Sequence, residues 1–206
     1  SRGANGVVLV TTKKGKIGTT KMDLNFYSGV GKVTRMMNLL NTSQYLIMRR
    51  EAFMNDGVTP TISNARDLLE WDTTRYIDMQ KELIGGTAHT MDVQTKVSGG
   101  NQNTQFLLGG GYHRESTVFP GDYSDKKITA HLNLTHASLN KKFQLSFLAS
   151  FVSDKNKLLS LDPTLRAITL PPNIPSFYDS TGNLIWHTGV FFNPYADLRK
   201  HFTINS

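Results

Sequence analysis

Cysteine is absent from the 206 residues of this sequence, and long apolar runs are absent as well. Without thiols the chain forms no disulfide, no thiolate metal site and no thiol nucleophile. Apolar runs such as Val7–Val10 are only strand-sized, whereas a transmembrane helix needs roughly 20 apolar residues. The composition therefore excludes a disulfide scaffold, a Cys-ligated zinc domain and a helical membrane protein.

Charge of one sign is in modest excess, with 23 Lys and Arg against 16 Asp and Glu and a net charge of +7. The basic residues form only short local groups along the sequence, as at Arg49-Arg50, Lys126-Lys127 and Lys141-Lys142. A nucleic-acid interface needs basic residues concentrated on one surface. Binding to nucleic acid is therefore not predicted.

Residues that carry chemistry do not form a recognisable set. His131 and His136 are five positions apart, which places them on opposite faces of a strand and argues against a joint metal site. The glycines at 109–111 are followed by no Lys-Ser or Lys-Thr, so they indicate close strand packing or a kink rather than a phosphate loop. Nothing marks a buried pair of tuned carboxyls. No catalytic centre, cofactor or metal is predicted, and the chain is not expected to be an enzyme.

What the sequence has in abundance is alternation of apolar and polar residues. Five segments alternate with period two, as strands with two chemically different faces do. A soluble antiparallel sheet with one solvated face alternates equally well, so the pattern alone does not indicate a membrane. The five segments are Lys21–Phe26, Met91–Ser98, Thr104–Tyr112, Ile128–Thr135 and Phe143–Phe151.

The connections between these segments alternate between long and short. Long loops are expected at about 32–90, 114–126 and 154–198, with short turns at 98–103 and 136–142. Outer-membrane barrels alternate in this way because their strands end in short periplasmic turns and long extracellular loops. Five strands are too few to close a barrel, which takes about eight. The predicted fold is therefore mainly β, with antiparallel strands of a partial transmembrane β-barrel.

The first long loop is predicted to contain short helices. Asn41 or Thr42 caps a helix from 43 to about 54, Ser63 caps a second, and Thr74 caps a third that ends before Gly85-Gly86. The last loop is rich in turn formers, with a hairpin tip at 179–183. Because Ser1 opens inside a strand-like run and Ser206 follows no closing turn, we expect a fragment of a longer protein.

The first sixteen residues, SRGANGVVLVTTKKGK, resemble the end of the plug domain in TonB-dependent transporters of the SusC/RagA type. They indicate a turn at Asn5-Gly6, a buried strand over 7–12 and a basic exit broken by glycine. The resemblance covers nearly the whole chain. It continues at Leu39-Leu40-Asn41, Tyr45, Glu51-Ala52, Val97–Asn101, Gly111-Tyr112, Pro172-Asn173, Asp179 and Gly182-Asn183.

The resemblance implies a domain boundary and a set of partners. Residues 1–16 would be the C-terminal end of the plug domain, and residues 17–206 the N-terminal part of the β-barrel. The location would be the cell outer membrane, in contact with its lipid. The solute would be a glycan or a peptide, and the partners a SusD-like surface lipoprotein and TonB, which acts through regions outside this chain.

The expected function is therefore part of an outer-membrane TonB-dependent nutrient importer for oligosaccharides or peptides. The alternative is a non-transporting surface carbohydrate-binding or adhesin β-domain, with a soluble β-sandwich enzyme as a distant third.

Aromatic residues of the last loop are the candidates for solute binding. Tyr178, Trp186 and Phe191 offer flat surfaces on which a sugar stacks. The competing and favoured interpretation is that they pack the loop on itself or lie in the aromatic girdle at the membrane boundary. Asp179 and Asn183 fit a calcium site, but a hairpin turn explains them with fewer assumptions.

Overall fold

The computed structural model describes residues 13–186, 193–199 and 201–205. The strand predicted over 7–12 and the candidate Phe191 lie outside these residues. The described chain forms one sheet in which each strand pairs antiparallel with the next along the chain. Its strands are β1 (Gly18–Gly31), β2 (Ala88–Gly100), β3 (Thr104–Ser116), β4 (Ser124–Ala137), β5 (Gln144–Leu159) and β6 (His201–Asn205). The predicted mainly antiparallel β fold is confirmed.

Helices lie in two of the connections. The first connection contains α1 (Thr42–Asn55), α2 (Arg66–Leu69) and α3 (Met79–Ile84), in agreement with the prediction of short helices there. The last connection contains α4 (Thr164–Thr169) and α5 (Pro194–Arg199), which were not predicted. The expectation of only five wall strands was also wrong, because β6 pairs with the end of β5. At only five residues, β6 is too short to be recognised by its alternation.

The N-terminal caps explain where two of the helices begin. Asn41 caps α1 through a capping box, since its side chain accepts from the Gln44 amide and the Gln44 side chain accepts from the Asn41 amide. The third helix begins at Met79, after Asp78, rather than after Thr74 as predicted. The Thr74 hydroxyl donates to the Asp72 carboxylate at 2.6 Å, so it is held in a turn instead of capping a helix.

The second predicted helix is also shorter than expected. Its start was assigned to a cap at Ser63, but α2 begins only at Arg66, after Ala65, which provides no side-chain cap. The Ser63 hydroxyl instead lies 2.9 Å from the hydroxyl of Thr61, within a turn. A Ser or Thr side chain can either cap a helix or form a hydrogen bond within a turn, and the sequence alone does not show which of the two it does.

All the long connections leave the same end of the sheet, at 32–87, 117–123 and 160–200. At the opposite end the described strands are joined by the short turns at 101–103 and 138–143, and residues 13–17 lead into β1. The strands extend further toward the loop end than the segments in which apolar and polar residues alternate. For example, β5 continues to Leu159, because polar residues 154–157 keep pairing with β4 after the alternation stops at Phe151.

Candidate functional site

The register of the strands collects their large apolar side chains on one surface, which we call the apolar face. In one row, Met22 pairs with Val97, Val97 with Leu108, and Leu108 with Leu132, which pairs with Ala149. Residues directly opposite one another in a sheet share a face. The other members are Leu24, Phe26, Met91, Val93, Phe106, Tyr112, Ile128, Ala130, Leu134, Leu145, Phe147 and Phe151.

The apolar face is open over much of its area. Leu24 is 63% exposed, Phe26 65% and Phe151 58%. Each Å² of apolar surface left in water costs about 25 cal/mol, and extended apolar patches mark surfaces that contact a membrane or another protein. Within the described residues no element packs over this face, so it is the first candidate functional surface.

The opposite surface, which we call the polar face, is lined by charged and amide side chains. Polar contacts join neighbouring strands across it: an ion pair of Asp23 with Lys96 at 2.8 Å, and a hydrogen bond between Asp92 and His113 Nδ1 at 3.2 Å. A recess of about 520 Å³ opens on this face. Its lining includes Lys13, Asp23, Asn25, Asp92, Gln94, Lys96, His113, Lys127, Thr129 and His131. The two faces of the sheet therefore suit two different environments.

The glycines at 109–111 fit the prediction of close strand packing. A Cβ on Gly109 would lie 2.1 Å from the His131 ring, which occupies that space on the polar face. A Cβ on Gly111 would lie 2.8 Å from the Thr129 hydroxyl. Gly110 points to the apolar face, where the nearest atom would be 3.6 Å away. The glycines at 109 and 111 thus make room for side chains of β4.

The segment before β1 lies against the polar face. Gly15 is buried, and a Cβ there would lie 2.5 Å from the Phe106 carbonyl oxygen, so only glycine allows the two backbones to approach this closely. Lys13, Ile17 and Leu107 line one further recess beside it. The chain therefore reaches β1 from the polar side of the sheet.

Above the strands, the first and last connections pack together into what we call the loop cap. Its buried centre combines residues of α3 and α4 with residues that follow α4. The Ile77 amide donates to the Pro172 carbonyl at 2.8 Å, and the Tyr195 hydroxyl donates to Glu82 at 3.2 Å. The core side chains are Met79, Leu83, Ile84, Ala167, Leu170, Ile174, Phe177 and Leu198.

Asp67 connects three parts of the loop cap. Its carboxylate accepts from the Tyr45 hydroxyl at 2.9 Å and from Arg49 Nε at 2.7 Å, which ties α2 to α1. Its backbone carbonyl accepts from Asn173 Nδ2 at 2.9 Å, in a buried bond to the last connection. Buried polar groups cost free energy unless they are paired. This network therefore fixes how the two connections dock.

Burial and the neighbouring Asp67 carboxylate raise the pKa of Tyr45 above its usual value of 10.0. Burial and Glu82 raise the pKa of Tyr195 in the same way. A phenol with a raised pKa in the folded state stabilises that state while it is protonated. The contribution is complete below the unfolded pKa and is lost as the pH rises through the folded pKa. The loop cap should therefore weaken at strongly alkaline pH.

We expect Tyr45→Phe to lower the free energy of opening of the loop cap by about 1–2 kcal/mol, because it removes a hydrogen bond to a carboxylate. Cleavage of the first connection by an alkaline-stable protease, in the full-length protein, measures this opening. The loss of loop-cap stability above about pH 10 should be smaller in Tyr45→Phe than in wild type, because only the contribution of Tyr195 remains. Tyr76→Phe is the control, since Tyr76 is 57% exposed. Equal cleavage of both variants would contradict the role of the Tyr45 hydroxyl.

Two of the candidate aromatic residues, Tyr178 and Trp186, lie in the described part of the chain. The Tyr178 ring contacts the Tyr195 ring in a tilted arrangement with ring centres 4.9 Å apart, and Tyr195 contacts Phe177, which is buried. Tyr178 therefore packs against another residue of the last connection. Trp186 is 60% exposed.

The turn at Asp179 satisfies its own polar groups. The Asp179 carboxylate accepts from the amides of Thr181 and Asn183, each at 2.8 Å, and Gly182 adopts φ +83°. The Thr181 hydroxyl also donates to this carboxylate, at 2.7 Å. The hydroxyl bond first, and the amide bonds with it, lower the pKa of the Asp179 carboxyl. The hairpin interpretation therefore accounts for this carboxylate. No group of three His, Asp or Glu side chains suited to a metal occurs in the described part of the chain. No helix among residues 13–186 and 193–199 is long and apolar enough to cross a membrane.

Comparisons with known proteins give a consistent set of relatives. No family model matches the chain. The TonB-dependent receptor P39 of Formosa agariphila is 30% identical over 141 residues, covering 68% of this chain and 13% of that protein. The TonB-dependent receptor SusC of Bacteroides thetaiotaomicron is 23% identical over 204 residues, covering 94% of this chain and 19% of that protein. The chain thus spans less than a fifth of the length of either relative.

Solved structures of the RagAB peptide importer resemble this fold. Its open-open state matches with a TM-score of 0.64 and 21% identity, over 91% of this chain and 24% of that chain. Its closed-closed state matches with a TM-score of 0.63, over 88% of this chain and 24% of that chain. The predicted resemblance to the SusC/RagA type is confirmed. These relatives are named receptors and importers, in line with the expectation that the chain is not an enzyme.

Proposed function

Because this chain is related in sequence and in fold to TonB-dependent receptors of the SusC/RagA type, we propose that it forms part of the wall of an outer-membrane nutrient importer. The two-faced sheet carries the proposal. Its open apolar face suits lipid, and its polar face suits a watery lumen. The position of every long connection at one end of the sheet fits extracellular loops above short periplasmic turns.

The proposal includes the division of the chain. Residues 1–16 end the plug domain, and residues 17–206 begin the barrel. The approach of Gly15 to the Phe106 backbone supports this, because it brings the chain into β1 from the polar, lumenal side. A plug domain fills a barrel from that side.

The proposed substrate and partners rest on the resemblance to the SusC/RagA type. The proposed solute is an oligosaccharide or a peptide, a SusD-like surface lipoprotein covers the loop cap, and TonB acts through other regions of the protein. Trp186 is the described aromatic residue best placed to stack on a solute, because its ring is exposed in the last connection. Tyr178, which contacts the Tyr195 ring, and Phe191 complete the proposed set.

Uptake by intact cells tests this function. Cells that carry the full-length gene should import at least one labelled oligosaccharide or peptide from a panel, and cells with the gene deleted should not. Complementation with Trp186→Ala should weaken uptake of that solute by about 2- to 10-fold, as expected for the loss of an aromatic contact. The same change at Tyr76 should have no effect. A solute that binds the cell surface through this protein but never enters would favour the adhesin alternative.

A further inference from the structure

Four cations lie together on the outer side of the sheet, at the loop end of the apolar face. Arg114 pairs with Lys126, and Lys126 pairs with Lys155, so these three occupy one row across β3, β4 and β5. Lys157 lies two residues further along β5 on the same face. The row directly below belongs to the apolar face and contains Tyr112 and Ile128. We call these four residues the basic row.

Next to the basic row, β3, β4 and β5 place positive and negative side chains on opposite faces of the sheet. In β3, Arg114 of the basic row is followed by Glu115 on the polar face, and in β4, Asp125 on the polar face is followed by Lys126. In β5, Asp154 on the polar face is followed by Lys155. Successive residues of a strand point to opposite faces. All three strands therefore present a base outward and an acid inward.

Few acidic side chains of the described residues neutralise the positive charge of the basic row. Arg114 lies 4.0 Å from Asp122, which is itself 72% exposed, and Lys157 lies 5.8 Å from the ring centre of Tyr123. No ion pair with Lys126 or Lys155 occurs within residues 13–186, 193–199 and 201–205. Like charges directly opposite one another destabilise a sheet. An external anion would offset that cost.

We propose that the basic row binds the phosphate groups of lipid headgroups around the loop end of the barrel. This inference rests on the proposed function, because that function places lipid against the apolar face. The end of that face is where headgroups meet the protein, and adjacent strands about 4.8 Å apart set the three cations of the row across about 10 Å. Each basic residue near an anionic membrane surface strengthens binding about fivefold. Phosphate oxygens accept charge-assisted hydrogen bonds from both Lys and Arg.

Lipid titration of the full-length protein tests the proposal. Wild type, the variant with Lys126→Gln and Lys155→Gln, and a control with Arg35→Gln and Arg50→Gln are purified in micelles of a neutral detergent. Both variants lose two positive charges, but the control loses them from the first connection, outside the strands. Bound phosphatidylglycerol is counted by native mass spectrometry, with diacylglycerol and inorganic phosphate as further arms.

Phosphatidylglycerol should bind wild type and the control alike, and the Lys126/Lys155 variant about 25-fold more weakly. Diacylglycerol should not bind the row, and inorganic phosphate should not displace the lipid at equal concentration. Unchanged lipid binding by the Lys126/Lys155 variant would overturn the inference. So would displacement by inorganic phosphate, since the row would then be a site for the free anion. A protein that needs no detergent or lipid to stay dispersed would instead refute the proposed function.

Discussion

Replacing Phe151 by Arg is expected to destabilise the membrane-inserted protein by about 1–3 kcal/mol, between the cost of a cation on the lipid side of a barrel at the bilayer centre and its smaller cost near the interface. Phe151 is 58% exposed on the apolar face, in a row with Ala130. One apolar row, that of Ile128, separates it from the loop end, and the rows of Ala149 and Phe147 follow toward the turns. The apolar band is the part of the strand that the hydrocarbon core would cover. A guanidinium there loses its hydration without gaining a partner.

Ser150→Arg is the matched control for this prediction. Ser150 precedes Phe151 in β5 and pairs with His131 on the polar face. A lumen-side substitution leaves the new charge in water, so the stability should stay nearly unchanged. Urea unfolding of the full-length protein from lipid vesicles measures both variants. Equal destabilisation by the two substitutions would mean that the faces do not differ in environment.

The strands of the wall were readable from the sequence because alternation is a local signal. Residues 128–135 alternate without a fault, and the structure places them in the middle of β4. A strand with one apolar and one polar face needs that pattern wherever the rest of the protein lies. The helix starts were less accurate, because side chains such as those of Ser63 and Thr74 bond equally well within turns.

The loop cap was not readable, because its contacts join residues far apart in the chain. Asn173 is fully buried and donates to the backbone of Asp67, 106 positions earlier. Neither residue stands out locally, since Asn beside proline predicts a turn and Asp67 has the spacing of a solvated helix face. The pairing appears only when the last connection folds over the first.

The basic row was missed for a similar reason. Arg114, Lys126 and Lys155 are scattered along the sequence, and the short pair Lys126-Lys127 gave no sign of a larger cluster. Strand register places the three on one row, while Lys127 turns to the polar face and pairs with Asp154 at 3.7 Å. A charge pattern along a chain therefore differs from the pattern on the surface of its sheet.

Labelling of single cysteines along β5 tests the two-faced wall most directly. The chain contains no cysteine of its own, so each substitution adds one thiol to this region. Ala149, Ser150, Phe151 and Val152 are all exposed in the structure, so protein packing alone would protect none of them. In outer membranes that contain the full-length protein, a water-soluble maleimide should label cysteine at 150 and 152 and leave cysteine at 149 and 151 unlabelled. Equal labelling at all four positions would contradict a wall with lipid on one side and water on the other.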